Sequence, residues 1–187
     1  RKKLSDCVIS ITAGKSVLGL GRPAENNEYG VLKVSAVSGE GFIANENKVL
    51  AFPEEFLNDF SVRDRDVLIT RANTRELVGR VCLVPKDFHS LMLCDKTLRL
   101  NVDEQKCDKD FLVQVLKSRE ARVQIESAAS GTGGSMKNIS QSQILNLSLP
   151  IPDIEYQREL TSRLKEIGQL KEQSRRHLSH PAKMKSV

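Results

Sequence analysis

The chain has 187 residues, 39% hydrophobic and 28% charged, with a formal net charge of +5; that suits one globular domain with an appended element and excludes two full domains. No apolar run approaches the ~20 residues needed to cross a bilayer, and no basic-then-apolar secretory leader opens the sequence. Residues 1–162 hold 22 Lys/Arg and 22 Asp/Glu while residues 163–187 hold seven and two, so any nucleic-acid face on the globular part has to arise by segregating charges in space.

In chain order, "KKLSDCVISITAG" offers Ser5 as an N-cap and Gly14 as a stop around Leu4, Val8, Ile9 and Ile11, which predicts a short helix. Residues 15–30 lack periodicity, carry turn formers, and read as a long exposed loop. Leu32, Val34 and Ala36 alternate with Lys33 and Ser35, predicting a strand that enters a glycine turn. Val67 and Ile69 oppose Leu68 and Thr70 in a second strand, and "LVGRVCLVP" holds a third with Val81 and Leu83 on one side. Met92, Cys94, Leu98, Leu100 and Val102 repeat every second residue, broken only at Lys96, and predict one further strand. The connections are too short for helical crossovers, so the fold class is α+β with a mostly antiparallel twisted sheet or open barrel and flanking helices.

After Asp108, a capping residue, Leu112, Val115, Leu116, Arg119 and Val123 recur at helical spacing as far as Gly131. From Pro152 onward, Leu160, Leu164, Ile167 and Leu170 recur every three to four residues in a charged background. This predicts a helix of about 25 residues, ~38 Å long at 1.5 Å per residue. A small sheet domain cannot cover such a length, so the helix should protrude and pair its narrow seam with another helix, as in a coiled coil.

Cys7, Cys82, Cys94 and Cys107 have no CxxC spacing, and three lie in apolar or strand-like surroundings; reduced buried thiols of a cytoplasmic protein are expected. His177 and His180 have no carboxylate or cysteine beside them, so no metal site is expected. The glycine cluster of "SGTGGSMKNISQSQILNLSLPIP" fails the phosphate-loop pattern, because Lys137 follows Met136 and precedes Asn138. It fails the dinucleotide pattern too, since it follows a predicted helix and precedes a short strand. The Asp/Asn-Pro-Pro-aromatic site of DNA amino-methyltransferases is absent. A nuclease reading would have to force Asp87, Glu104 and Lys106 into one metal site. No catalytic residue is assigned.

Three segments, "LSDCVISITAGKS", "DVLITRANTRELVGRVCLV" and "ASGTGGSMKNISQSQILNLSLPIPDIEYQREL", in this order and at these separations, resemble the specificity subunits of type I restriction-modification systems. The resemblance covers nearly the whole chain and implies a target recognition domain over 1–152 and a long helix over 153–187 for helix pairing and methyltransferase docking. It implies a sequence-specific DNA-binding module without catalysis of its own, reading one half of a split target. The implied partners are double-stranded DNA, a DNA adenine methyltransferase subunit, a restriction (motor-nuclease) subunit and a second copy through the C-terminal helix, with no membrane. S-adenosylmethionine, ATP and magnesium would sit on the partner subunits and no cofactor on this chain. A complete subunit of that family carries two domains and two helices; this chain has one of each and opens on Arg1, as would a half-length subunit that dimerises, a fragment, or the C-terminal region of a fused methyltransferase-nuclease.

Arg71, Asn73, Thr74 and Arg75 leave the end of a predicted strand and suit DNA contact; a polar turn in which Asn73 satisfies backbone groups is the competing reading. A motif shared by members that read different targets cannot encode the target, so base reading is expected in residues 15–30 and 38–65, with Lys15, Ser16, Arg22, Asn26 and Asn27 as first donors. Ser135, Lys137 and Asn138 form a compact set for phosphate, against a turn that only caps a helix starting near Ser140. Leu160, Leu164, Ile167 and Leu170 are the expected helix interface. The rival from another class is an assembly adaptor whose helix binds protein partners while the domain reads no DNA.

Overall fold

In a computed structural model that describes residues 1–131 and 136–179, with side chains as far as residue 176, the strand Val67–Thr70 is buried at every position. The strands are β1 (Lys2–Lys3), β2 (Val8–Ala13), β3 (Gly30–Leu32), β4 (Asn47–Val49), β5 (Ser61–Val62), β6 (Val67–Thr70), β7 (Ala72–Asn73), β8 (Val81–Leu83), β9 (Phe88–Met92), β10 (Thr97–Val102), β11 (Lys137–Asn138) and β12 (Ser148–Leu149). The helices are α1 (Lys109–Lys117), α2 (Arg119–Ala128), α3 (Gln141–Leu145) and α4 (Ile154–Ser179). A central antiparallel sheet runs in the order β2-β10-β6-β8, and an outer sheet in the order β4-β3-β9-β5. The β3–β9 pair is parallel. The short ladders β1–β12 and β7–β11 tie distant segments together.

Alternation along β6 explains its burial. Val67 and Ile69 join Leu98 and Leu100 of β10, Leu112 and Leu116 of α1 and Ile125 of α2 in one core. Leu68 points the other way, into a second core with Cys82, Val84, Leu32, Val62 and Leu93. The central sheet is therefore the middle of three layers, helices on one face and the outer sheet on the other.

One cation crosses between the two sheets. Arg99 of β10, 7% exposed, donates from Nη1 to the Asp59 carbonyl at 3.2 Å and from Nη2 to the Ser61 carbonyl. Its Nε lies 2.9 Å from Asp66 Oδ2, a charge contact rather than an aligned hydrogen bond.

The structure corrects several element assignments. Residues 8–13 form a strand, not a helix: Ser5 lies within a single 3-10 turn (Leu4–Asp6), and the β-branched Val8, Ile9, Ile11 and Thr12 take up pairing with β10. The strand predicted over 31–36 ends at Leu32, and Val34–Ala36 close a 3-10 turn. The strand read through Met92 to Val102 is two, β9 and β10, because a turn with Thr97 N–H donating to the Cys94 carbonyl at 3.1 Å carries the chain from outer to central sheet. The helix read from 108 toward 131 is also two. Ser118 is extended at φ −61°, ψ 153°, closing α1 through its N–H on Val115 and opening α2 through its hydroxyl on the Ala121 N–H.

α4 is rooted in the domain over its first two turns and then leaves it. Gln157 is fully buried; it accepts from the Asp108 N–H at 3.0 Å and donates to the carbonyls of Lys106 at 3.1 Å and Pro152 at 2.7 Å. Thr161 donates to Asp108 Oδ1 at 3.1 Å, and Asp110 holds both Arg65 at 2.9 Å and Lys165 at 3.1 Å. Burial works to raise the Asp110 carboxyl, but the hydrogen bonds from Arg65 and Lys165 outweigh it and leave it below the usual range. Residues 162–176 are exposed throughout. Leu160 packs against the domain's own core and so separates from Leu164, Ile167 and Leu170, which stay exposed at 51, 48 and 64%.

Replacing Asp66 by Ala leaves the Arg99 guanidinium buried without its carboxylate, and we expect a loss of about 3–5 kcal/mol in denaturant unfolding. The double change Asp66→Ala with Arg99→Met should cost clearly less than the single one, because no uncompensated charge remains.

Candidate nucleic-acid interface

With both faces of the central sheet covered along β10, β6 and β8, polar side chains gather where these strands end. β2 finishes opposite the start of β10, β6 finishes at Thr70 opposite Thr97, and β8 starts opposite Ile69. Lys15, Arg71, Arg80 and Lys96 therefore leave from one end of the sheet. The backbone locks them there: Arg71 N–H donates to the Lys96 carbonyl at 2.9 Å, Lys15 N–H to Leu93 at 3.3 Å, and Thr70 N–H to Arg80 at 2.9 Å. The outer sheet adds Lys33, just past β3, and Lys48, which pairs with Val31.

Lys15, Lys33, Lys48 and Lys96 line a groove of about 390 Å³ with Asp95 on its rim. Lys33 pairs with Glu46 and Lys96 with Asp95, each at 3.0 Å. Lys15 and Lys48 are exposed and have no ion-pair partner among the described residues. Sequence reading found Lys15 but treated Lys33 as the polar face of a strand and passed over Lys48. Their convergence depends on the β3–β4 register and on the chain crossing between sheets, neither of which leaves a local signal.

The two motif segments come together as β7 and β11, with Asn73 opposite Lys137 and Ala72 opposite Asn138. Ile139 N–H donates to the Arg71 carbonyl at 2.9 Å and extends the contact. Asn73 Oδ1 accepts from the Thr74 N–H at 2.9 Å, so half of the side chain serves the turn. Lys137 is half-buried and donates to the Gly131 carbonyl at 3.2 Å; Asn138 is exposed. Thr74 is half-buried and Arg75 exposed, its Nε 3.9 Å from Glu126 Oε2. Ser140 caps α3 with a full capping box, so that helix start exists alongside the lysine and asparagine. Ser135, the third member of that donor set, lies outside the described residues.

In the 15–30 segment, Ser16, Asn26 and Asn27 are exposed. Asn27 adopts φ +69°, a left-handed conformation that asparagine tolerates. Arg22 has a task the sequence did not reveal: it grips Glu28 through Nη1 at 2.7 Å and Nη2 at 2.6 Å, closing the loop on itself. Leu20 N–H donates to Val49 at 2.8 Å and Ala51 N–H to Leu18 at 2.9 Å, so residues 18–22 run alongside β4 as a ribbon.

The competing chemistries find little geometry. Lys106 is paired with Asp103 at 3.0 Å, Glu104 with Lys109 at 2.8 Å, and Asp87 accepts from the Asp64 N–H at 3.0 Å. Among the described residues no group of three or more His, Cys, Asp or Glu could hold a metal ion, and His177 and His180 have no described side chain. The four cysteines are free and buried, with burial pushing the Cys82 thiol up to about 12 and raising those of Cys7 and Cys107. Thiols held protonated in this way are poor nucleophiles. No helix among the described residues is long and apolar enough to cross a membrane.

The hydrogen bond from Arg22, followed by that from the Glu25 N–H, lowers the Glu28 carboxyl to about 2. A depressed acid keeps its ion pair above the ordinary carboxylate range and loses it only as pH falls through the lowered value. In a carboxyl carbon NMR titration, Glu28 should therefore have its midpoint near 2, and Arg22→Ala should raise it most of the way toward the ordinary carboxylate value, the Glu25 N–H still holding it somewhat below.

The family model described as type I restriction modification DNA specificity domain matches residues 3–179. The specificity subunit of the type I restriction enzyme EcoEI from Escherichia coli is 27% identical over 177 residues, which is 94% of this chain and 30% of that protein. The StySPI specificity subunit from Salmonella potsdam is 27% identical over 143 residues, 75% of this chain and 30% of its own length. The chain thus spans under a third of these curated relatives. Of solved structures, the type I restriction-modification S subunit from M. genitalium superposes with a TM-score of 0.61 at 17% identity, over 90% of this chain and 38% of that one. The HsdS subunit from Thermoanaerobacter tengcongensis gives 0.63 at 16%, over 94% and 43%. At these identities the likeness to the solved structures is one of fold, an α+β domain with a long C-terminal helix. With nearly every residue of that architecture inside the family match, the chain belongs to the type I restriction modification DNA specificity domains.

Proposed function

We propose that this chain is a DNA-reading specificity module that directs partner methyltransferase and restriction subunits to one half of a split target. The observation that carries the proposal is the meeting of "RANT" with Lys137–Asn138 at the basic end of the central sheet, beside the lysine groove. A globular part with no excess of positive charge in its sequence presents cations at one end, as phosphate binding requires.

The roles divide by position. Asn73, Lys137 and Asn138 sit on backbone-paired strands, Arg71 is held beside them by its own backbone bonds and Arg75 lies in the turn that follows; these five hold phosphates. The 15–30 loop, with Lys15, Ser16, Asn26 and Asn27, together with residues 38–65, reads bases; Arg22 shapes that loop. Residues 1–152 form the reading domain, and 153–187 carry the seam that meets a second helix and the methyltransferase subunit. Methyl transfer and cleavage belong to partners, which hold S-adenosylmethionine, ATP and magnesium. The helix is supplied by a second copy if the chain is a half-subunit, and by the same polypeptide if it is part of a longer subunit or a fused enzyme.

Counterion release gives the direct test. Binding to random duplex should weaken with salt at a log-log slope of about −0.9 for each phosphate neutralised. Lys137→Ala should make that slope shallower by about 0.9, weaken all sequences alike and leave the preferred target unchanged. An unaltered parent chain with no DNA affinity at low salt would leave only the adaptor reading. For the helix, Leu164→Glu with Ile167→Glu should convert a dimer to a monomer in sedimentation equilibrium while DNA affinity per domain persists.

A further inference from the structure

A second cluster of cations lies at the same end of the central sheet, around a pocket of about 210 Å³. Arg80 precedes β8, Lys117 closes α1, and Arg122 sits on α2; all three line the pocket. We propose that this pocket is an anion site that seats one phosphate of the DNA backbone, beyond those held by Lys137 and its neighbours. The proposal rests on the DNA-reading function above.

Each cation has a different degree of prior commitment. Arg122 is fixed in place, donating from Nη1 to the Val78 carbonyl at 2.7 Å and from Nη2 to Glu126 at 3.2 Å and the Glu76 carbonyl at 3.4 Å. Arg80 and Lys117 are half-buried, and among the described residues neither has a carboxylate bonded to it. Glu76 is the acid on the rim; hydrogen bonding from its own backbone N–H and from the Thr74 hydroxyl lowers its carboxyl, so it is ionised. Two half-buried cations with no carboxylate bonded to either, beside a third that is anchored, outnumber the one acid on the rim and favour an anion by Coulomb attraction and by offsetting their lost hydration.

The loop backbone closes over this site. A Cβ at Gly39 would lie 3.0 Å from Arg80 Nη1, so the absence of a side chain there lets the backbone lie against the guanidinium. The pocket is also continuous with the strip already described, because Glu126 binds Arg122 at 3.2 Å and approaches Arg75 at 3.9 Å. A strand whose phosphates meet Arg75 and Lys137 is thereby led to Arg80 and Lys117.

The test uses the full chain and random-sequence duplex followed by fluorescence anisotropy across salt. Arg80→Gln with Lys117→Gln should make the log-log slope shallower by about 0.9, and adding Lys137→Ala should bring the total to about 1.8. Arg80→Lys should keep the parental slope. If the double variant melts early, Lys117→Gln alone, at a helix end, replaces it. A double variant with the parental slope overturns this site but leaves the proposed function standing; a parent without DNA affinity at low salt overturns both. Titration with inorganic phosphate separates the sources: shifts of the Gly39 and Gly79 amides that vanish in the double variant support an anion site. The same shifts with an unchanged DNA slope assign the pocket to a free anion and overturn the DNA-phosphate assignment.

Discussion

A sheet with apolar rows on both faces has no face left for a ligand. Val67 and Ile69 go to the helices and Leu68 to the outer sheet, so β6 contributes nothing to the surface until the chain runs out of strand at Thr70. This forces polar chemistry to the ends of strands and the loops beyond them. It is also why one end collects residues from segments as remote as Lys15 and Lys137. Arg99 is the exception that serves the arrangement, a cation kept inside because the carbonyls of Asp59 and Ser61 and the carboxylate of Asp66 surround it.

The charge balance takes its meaning from that topology. Acids on the globular part are spent on particular partners: Glu46 on Lys33, Glu28 on Arg22, Asp110 on Arg65 and Lys165, Glu126 on Arg122. Lys15, Lys48, Arg80 and Lys117 are among the cations with no ion-pair partner in the described residues, and these four gather in the two basic pockets near one end of the central sheet. Net neutrality over residues 1–162 thus coexists with a local positive field around these two pockets. The Arg22–Glu28 fork adds shape to this field, since it draws residues 22–28 into a compact loop instead of leaving a trailing tether.

What the sequence disclosed follows the range of the interactions. The alternation at Val67–Thr70, the cap at Asp108 and the long periodic run from Ile154 are local signals, and each names its element correctly. β2 carries a misleading local signal, because Ser5, Gly14 and four apolar residues fit a helix as well as a strand, and only pairing with β10 decides between them. The break at Ser118 leaves no sign in the spacing because Val123 continues the phase of α1, yet in the structure Val123 is 58% exposed and α2 turns Ala121 and Ile125 inward instead. At the site, "RANT" and Lys137 were visible as motifs, but their pairing was not. Lys33, Lys48 and Lys117 lie outside the motif segments, and Arg80, though inside one, is not marked as a donor there; tertiary register alone brings them to this end of the sheet.

The root of α4 has a mechanical meaning. A rod fixed at one end magnifies any error at its clamp in proportion to its free length. Residues 162–179 project about 27 Å at 1.5 Å per residue, so a tilt of about 10° at the root displaces the tip by about 5 Å, more than the ~3.4 Å step between base pairs. Small slack in the clamp would therefore blur the distance between whatever the two ends of the molecule hold. Three hydrogen bonds from one buried glutamine, braced by Thr161 and by two cations on Asp110, give a clamp with little slack. The angle at which the helix leaves is therefore set at Gln157, inside the domain, not along the rod.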